Sequence, residues 1–274
     1  MRDKTVTLTR QTEWITLKGK QRALFYNPGN ALKRKYMLSY IINYIARNKR
    51  GEKRTLILDV GSGVGDLALE FFLKGMYAEY ILLDIDRDAI LESKNTLKNF
   101  NTKFILADAQ NLPLKSEVFE MVICSEVLEH LPDDTKALQE MSRVLHKQGV
   151  MVISVPLHSN LDEVHARIYS LNAFLKLINS ANLEIKNICY ACRTIQIIGT
   201  LLHKFFGRKG MGERESSFYM RLPLISKLLV SILSPIDSLL TSKHSYLSSP
   251  LTNKATLIAV LTKKGVLGSS GRSC

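Results

Sequence analysis

Short, wholly apolar runs alternate with amphipathic segments from residue 55 onward, and this alternation constrains the fold more than any other feature. Strands that are apolar throughout, instead of apolar at every second position, indicate a sheet that is buried on both faces. When helices separate such strands, a mainly parallel sheet covered by helices is expected. We predict strands at 55–60, 80–83, 103–107, 119–124, 150–155, 184–191 and 255–262, and helices at 31–48, 66–74, 87–97, 133–145 and 170–180.

The spacing of these segments predicts one main α/β domain with additions at both ends. We predict an N-terminal helical cap at 1–50, the main domain at 51–192, a helical insertion at 193–253, a final strand at 254–264 and a disordered tail at 265–274.

The insertion is far longer than an ordinary connection between two strands. Its apolar residues at 222–233 lie near a basic cluster at 204–214. They allow three interpretations: a cap over an apolar substrate, a surface that lies in a membrane interface, or the core of a small helical subdomain. In the first two, the insertion determines which acceptor is used.

The chain is basic, with a net charge of +13 at pH 7. Such a charge suits nucleic acid or an anionic membrane surface, and is equally compatible with an ordinary solvated surface. No aromatic residues interleave with the basic clusters, which argues against nucleic acid. Cys189 and Cys192 form a C-x-x-C pair with no second pair to complete a zinc site. We therefore expect reduced thiols and a cytoplasmic protein, with membrane association as the alternative.

The strongest local motif is LDVGSGVGD at residues 58–66, between a predicted strand and a helix. Glycines at such a turn let the backbone bend tightly and approach a ligand closely. A dinucleotide site would have a third glycine where Asp66 stands, and a carboxylate there would oppose a pyrophosphate. Asp59 and Asp66 instead suit a cationic ligand without phosphate.

Two further carboxylates follow the next two predicted strands. Asp84 stands at the distance where a doubly wound fold presents an acid to ribose hydroxyls. Asp86 is better explained as the N-cap of the following helix. Asp108 can accept a hydrogen bond from an adenine amino group, and the small Ala109 leaves room for the ring.

The ordered run LDVGSGVG, LLDID, ADAQNLPL, FEMVICSEVLEHLPD and MSRVLHKQGVMVISVP resembles the class I S-adenosylmethionine (SAM) dependent methyltransferases over about residues 55–190. It is most similar to the branch that contains the quinone-biosynthesis methyltransferases. The resemblance implies a doubly wound, Rossmann-like seven-stranded α/β sheet with an antiparallel last strand. It also implies SAM as the cofactor, bound by Asp59, Gly61, Ser62 and Gly63 around the methionine part, Asp84 at the ribose, Ile85, Asp108 and Ala109 at the adenine, and Ser125 at the methionine end.

No single residue stands out as the catalytic base. Glu126, His130, His158 and His165 are candidates, and an oxygen acceptor needs a base or a metal more often than an amine or thiol does. Glu126, Glu129 and His130 also form an E-x-x-E-H run, which binds a divalent metal in some related O-methyltransferases. Glu126 and Glu129, three residues apart, are predicted to share a helix face and suit a hard cation, which His165 could join in binding. We nevertheless predict transfer without a metal.

These observations predict an enzyme that moves a methyl group from SAM to a small, apolar acceptor such as a lipid or quinone precursor. Methylation of RNA or protein is the first alternative. A SAM-binding regulatory protein without catalysis is the second. The sequence leaves the acceptor atom and the oligomeric state open.

Overall fold

A computed structural model describes residues 6–10, 12–17, 28–48, 55–157, 167, 169–191 and 256–265. The strands are β1 (Val6–Arg10), β2 (Thr12–Leu17), β3 (Leu56–Val60), β4 (Glu79–Asp84), β5 (Thr102–Leu106), β6 (Phe119–Ser125), β7 (Leu145–Pro156), β8 (Leu183–Ala191) and β9 (Thr256–Lys263). The α-helices are α1 (Pro28–Asn48), α2 (Asp66–Leu73), α3 (Arg87–Leu97), α4 (Asp134–Val144) and α5 (Leu171–Ser180), and a short 3-10 helix spans Leu128–His130.

Seven strands form one sheet in the order β5-β4-β3-β6-β7-β9-β8. The pairs from β5 to β7 are parallel, and β9 runs antiparallel to both β7 and β8. The predicted doubly wound sheet with an antiparallel last strand is therefore confirmed.

Helices cover both faces of this sheet, as the apolar strands required. On one face, apolar side chains of α4 and α5 pack against β3, β6 and β7 in a continuous core. On the other, α1 and α2 supply half of the buried residues of a second core, and Leu97 at the end of α3 joins it. Because the chain changes faces at the centre of the sheet, the carboxyl ends of β3 and β6 lie side by side at the point where such folds bind ligands.

Side chains at the helix N-termini explain where three helices begin. Asp86 accepts hydrogen bonds from the backbone N–H groups of Asp88 and Ala89, which confirms its predicted role as an N-cap. Asp133 caps α4 in the same way, and Ser170 caps α5.

Several predicted boundaries shift in the structure. The segment 1–50 is not wholly helical, because β1 and β2 form an antiparallel hairpin before α1. The run from Thr12 to Leu17 contains Thr, Trp and Ile, which favour strands. Leu145 belongs to β7 and not to the preceding helix, so that strand begins earlier than the predicted 150. The insertion at 193–253 and the tail beyond Gly265 lie outside the described residues, and their predicted roles stay predictions.

Candidate functional site

The glycine loop lies at the carboxyl end of β3 and leads directly into α2. Gly61, Gly63 and Gly65 all have positive φ values of +69°, +53° and +79°. A Cβ atom on Gly61 would come within 2.2 Å of the Val127 side chain, so close packing requires glycine there. A Cβ on Gly63 would meet nothing within 4 Å. The backbone of Gly63 therefore borders open space, as the sequence predicted for a loop that a ligand approaches.

Asp84 lies beside this loop because β3 and β4 are parallel neighbours, with Val60 opposite Leu83. One carboxylate oxygen of Asp84 accepts a hydrogen bond of 2.7 Å from the backbone N–H of Gly63. The other accepts one of 2.9 Å from the backbone N–H of Asp86. Among the described residues each oxygen thus has one partner, and a carboxylate oxygen has room for a second donor such as a hydroxyl group.

Ile85, directly after Asp84, is 71% exposed although it is a large apolar residue. An exposed isoleucine at the edge of a binding cleft offers a surface for an apolar ring to pack on. Its position is the one predicted for contact with adenine.

Asp108 and Ala109 follow β5, one strand further from the centre. The side-chain amide of Gln110 lies 3.1 Å from each carboxylate oxygen of Asp108, and its backbone N–H donates to one of them at 2.8 Å. The carbonyl oxygen of that amide accepts from the backbone N–H of Asp133. Gln110 therefore holds the Asp108 carboxylate in place, and the sequence analysis did not identify it. Ala109 is buried.

A second group that the sequence analysis missed holds the loop between β5 and β6. The backbone N–H of Leu112 donates to Glu140 on α4, and the guanidinium of Arg143 donates to the carbonyl oxygens of Leu112 and Leu114. Arg143 also pairs with Glu140 at 2.7 Å. This hydrogen bond lowers the pKa of Glu140. The ion pair keeps the loop that follows Asp108 against α4.

Two carboxyl groups lie at the two ends of the glycine loop: Asp59 is buried and Asp66 is part-buried. Burial raises the pKa of Asp59 to about 7, and the nearby Asp84 charge adds to that shift. A hydrogen bond of 3.2 Å from the Tyr80 hydroxyl opposes it. Burial also raises the pKa of Asp66 to about 6, against the lowering effect of Arg34. A cationic ligand would favour the ionised form of both carboxyls.

Ser62 and Ser125 complete the predicted cofactor residues. The backbone N–H of Ser62 donates to the carbonyl of Leu83 at 3.0 Å, which ties the loop to β4. The Ser62 hydroxyl is buried and has no hydrogen-bond partner among the described residues. The Ser125 hydroxyl is 3.1 Å from that of Ser154 on β7.

Glu126 directly follows Ser125, and the backbone of Glu126 is in the left-handed conformation, with φ +54°. Its carboxylate binds two groups from distant parts of the chain: the ammonium of Lys33 on α1 at 2.5 Å and the hydroxyl of Thr256 at the start of β9 at 3.0 Å. Glu126 therefore joins α1, β6 and β9 at the carboxyl edge of the sheet.

The proposed helix face of Glu126 and Glu129 does not exist. Glu126 precedes the 3-10 helix and has left-handed backbone geometry, whereas Glu129 lies within the helix and is buried. Among the described residues, no group of three or more His, Cys, Asp or Glu side chains is arranged to hold a metal ion. His158 and His165 lie outside the described residues, as does Cys192 of the C-x-x-C pair.

The described site fits the cofactor that the resemblance implies. Open space borders Gly63, Asp84 can take further hydroxyl donors, and Ile85 offers an exposed apolar surface. The buried carboxyl of Asp59 and the part-buried carboxyl of Asp66 lie at the ends of the loop where the ammonium and sulfonium groups would lie. Dinucleotide binding is disfavoured because Asp66 occupies the first turn of α2.

Comparison with known proteins defines the class. A family model described as a methyltransferase domain matches residues 52–210, more than half of the chain. The chain belongs to this methyltransferase domain family. The family and the fold together imply use of SAM.

The curated relatives indicate a more particular similarity. The chain is 31% identical over 137 residues to the ubiquinone/menaquinone biosynthesis C-methyltransferase UbiE of Idiomarina loihiensis, covering 47% of this chain and 53% of the relative. It is 32% identical over 137 residues to the protein of the same name from Pasteurella multocida, covering 47% and 50%. The chain thus spans about half the length of the curated relatives it matches.

Solved structures share the fold at low identity. The [4+2]-cyclase SpnF matches with a TM-score of 0.53 and 16% identity, covering 82% of this chain and 80% of that one. The MccD protein matches with a TM-score of 0.52 and 17% identity, covering 84% and 97%. Since one of these is described as a cyclase, the fold alone does not determine the reaction.

Proposed function

We propose that this chain transfers the methyl group of SAM to a small apolar acceptor, and that this acceptor is a quinone precursor. The use of SAM in this proposal rests on one observation: the Gly63 N–H donates to Asp84, and the space beside Gly63 is open. Similarity to the UbiE proteins supports the acceptor part.

The cofactor supplies a methyl group on a positively charged sulfur, so the protein has mainly to bind and orient the two reactants. In this proposal Asp84 binds the ribose hydroxyls, and Asp108 and Ile85 bind the adenine. Asp59 neutralises the ammonium group from beneath the loop. Ser125 borders the methionine end, where the acceptor meets the methyl group.

The acceptor is proposed to be apolar because the relatives are named for quinone biosynthesis. No described helix is long and apolar enough to cross a membrane. We propose that an apolar acceptor reaches the site from an anionic membrane surface, to which the positive charge of the chain is complementary.

Two measurements test the proposal. Calorimetry with S-adenosylhomocysteine should show binding, whereas NADH should show none. A transfer assay with methyl-labelled SAM should label a 1,4-naphthohydroquinone that carries a short prenyl chain and an unmethylated ring carbon. Label that appeared only in RNA or protein fractions of an extract would replace the quinone acceptor with the first alternative. Binding of S-adenosylhomocysteine without transfer to any fraction would favour a regulatory protein.

A further inference from the structure

The charged groups around the glycine loop are mainly carboxyls. Asp59 and Asp66 lie at its two ends, Glu70 follows on α2, and Glu126 lies on the neighbouring strand end. Such a set suits the ammonium and sulfonium groups of the cofactor, which are both cationic. It does not suit the carboxylate at the same methionine end, because like charges brought together in a buried site repel each other.

Two cations from α1 reach this acidic set, and both are nearly buried. Lys33 is 8% exposed and Arg34 is 5% exposed. The Arg34 guanidinium donates to Glu70 at 2.8 Å and lies 3.9 Å from Asp66. Arg34 is therefore directed at α2, whereas Lys33 is directed at Glu126.

Lys33 lies where the methionine end is expected. Its ammonium is 2.5 Å from the Glu126 carboxylate, and its charge also acts on the Asp66 carboxyl across the loop. The next residue, Val127, packs directly against Gly61. The ammonium thus lies at the end of β6, beside the residue that packs on the glycine loop. An ammonium has three N–H donors, so it can bind Glu126 and a second acceptor together.

The ion pair between Lys33 and Glu126 has a free-energy cost that a purely structural role does not explain. Withdrawing the Lys33 ammonium from water is unfavourable, and its partner Glu126 is only part-buried, so pairing offsets this cost incompletely. Glu126 is also held at a φ of +54°, a conformation that is strained for any residue with a Cβ. Strained residues that are retained against such costs cluster at functional sites.

We propose that Lys33 is a binding residue for the carboxylate of the cofactor's methionine end, and that Glu126 is a positioning residue that holds the Lys33 ammonium there. The inference rests on the proposed function, since it assumes that SAM is the cofactor. It adds a role for α1, which lies before the matched methyltransferase domain at 52–210. Helix α1 then contributes to cofactor binding as well as to the core.

The test compares two ligands that differ only in this carboxylate: S-adenosylhomocysteine and its decarboxylated analogue, S-adenosyl-3-thiopropylamine. In the full chain, Lys33→Met should weaken S-adenosylhomocysteine binding by roughly 10- to 100-fold, the range of a charge-assisted hydrogen bond. Binding of the decarboxylated analogue should change by less than about three-fold. Lys35→Met is the matched control, because Lys35 lies on the same helix but is exposed, and it should leave both affinities unchanged.

Glu126→Gln provides a second variant, and in combination with Lys33→Met it leaves no part-buried carboxylate without its cation. Measured alone and combined with Lys33→Met, it shows whether the preference for S-adenosylhomocysteine over the decarboxylated analogue depends on the lysine. Equal loss of both ligands in Lys33→Met would mean that the ion pair only supports the fold, and unchanged affinity for both would also overturn the inference. If the unaltered chain bound neither ligand, the proposed function itself would be wrong.

Discussion

Replacing Asp59 with asparagine should stabilise the protein above neutral pH while weakening its binding to the cofactor. Asp59 is 3% exposed, and its carboxyl lies 3.2 Å from the Tyr80 hydroxyl. Asparagine has nearly the same shape, and its side-chain oxygen can still accept from Tyr80. The substitution therefore removes a buried ionisable group with little change in packing.

The pKa of Asp59 sets the size of the effect. In the unfolded chain the carboxyl loses its proton near the ordinary pKa of 3.8, whereas in the folded chain burial raises the pKa to about 7. Between these values the folded state holds a proton that the unfolded state has lost, so stability falls as pH rises. A shift of roughly three pKa units lowers the free energy of unfolding by about 4 kcal/mol once the carboxyl is ionised in both states. About 2–3 kcal/mol of this loss develops between pH 5 and pH 8.

Urea denaturation at pH 5 and pH 8 measures this difference. At each pH, the measured quantity is the free energy of unfolding of Asp59→Asn minus that of the unaltered protein. This difference should be about 2–3 kcal/mol larger at pH 8 than at pH 5. Asp88→Asn is the control, because Asp88 is exposed in the first turn of α3. Calorimetry at pH 8 should show that Asp59→Asn binds S-adenosylhomocysteine more weakly, since it no longer neutralises the ammonium group. If both proteins had parallel dependences of stability on pH, the buried ionisation of Asp59 would not be the cause.

The remaining predictions concern the loop, the ribose site and metal. Gly61→Ala should lower the melting temperature more than Gly63→Ala, because only the first brings a Cβ against Val127. Thermal denaturation of the two variants measures this, and equal destabilisation would refute the packing argument. Asp84→Ala should weaken S-adenosylhomocysteine binding by about 1–3 kcal/mol, because the ribose hydroxyls would be left in the site without their acceptor. Calorimetry measures the affinity, and an unchanged value would show that Asp84 does not bind the ligand. EDTA should leave methyl transfer to the naphthohydroquinone unchanged; activity lost with EDTA and regained with magnesium would restore the E-x-x-E-H hypothesis.

The positions of Asp84 and Asp108 could be predicted because they depend on local sequence and on one rule of sheet geometry. The carboxyl ends of parallel neighbours meet at one edge, so acids directly after two such strands must lie close together. The N-cap role of Asp86 is similarly local, since its carboxylate reaches N–H groups only two and three residues away.

Contacts between distant segments could not be predicted in this way. Glu126 and Lys33 are 93 residues apart, and Thr256 is 130 residues from Glu126. The sequence suggested Glu126 as a metal ligand or base. In the structure it binds a lysine on α1 and a threonine on β9, which only the tertiary fold brings to it.

The parallel α/β architecture, the glycine loop and the acids at the strand ends could all be predicted from the sequence, because hydrophobic period and turn chemistry are local properties of the chain. Which side chains meet at the loop depends instead on the tertiary structure. It placed α1 over the acidic residues, brought the Gln110 amide to the backbone N–H of Asp133 and buried Asp59 enough to raise its pKa. Burial and ion pairing depend on what the fold brings together, and no pattern along the chain encodes those partners directly.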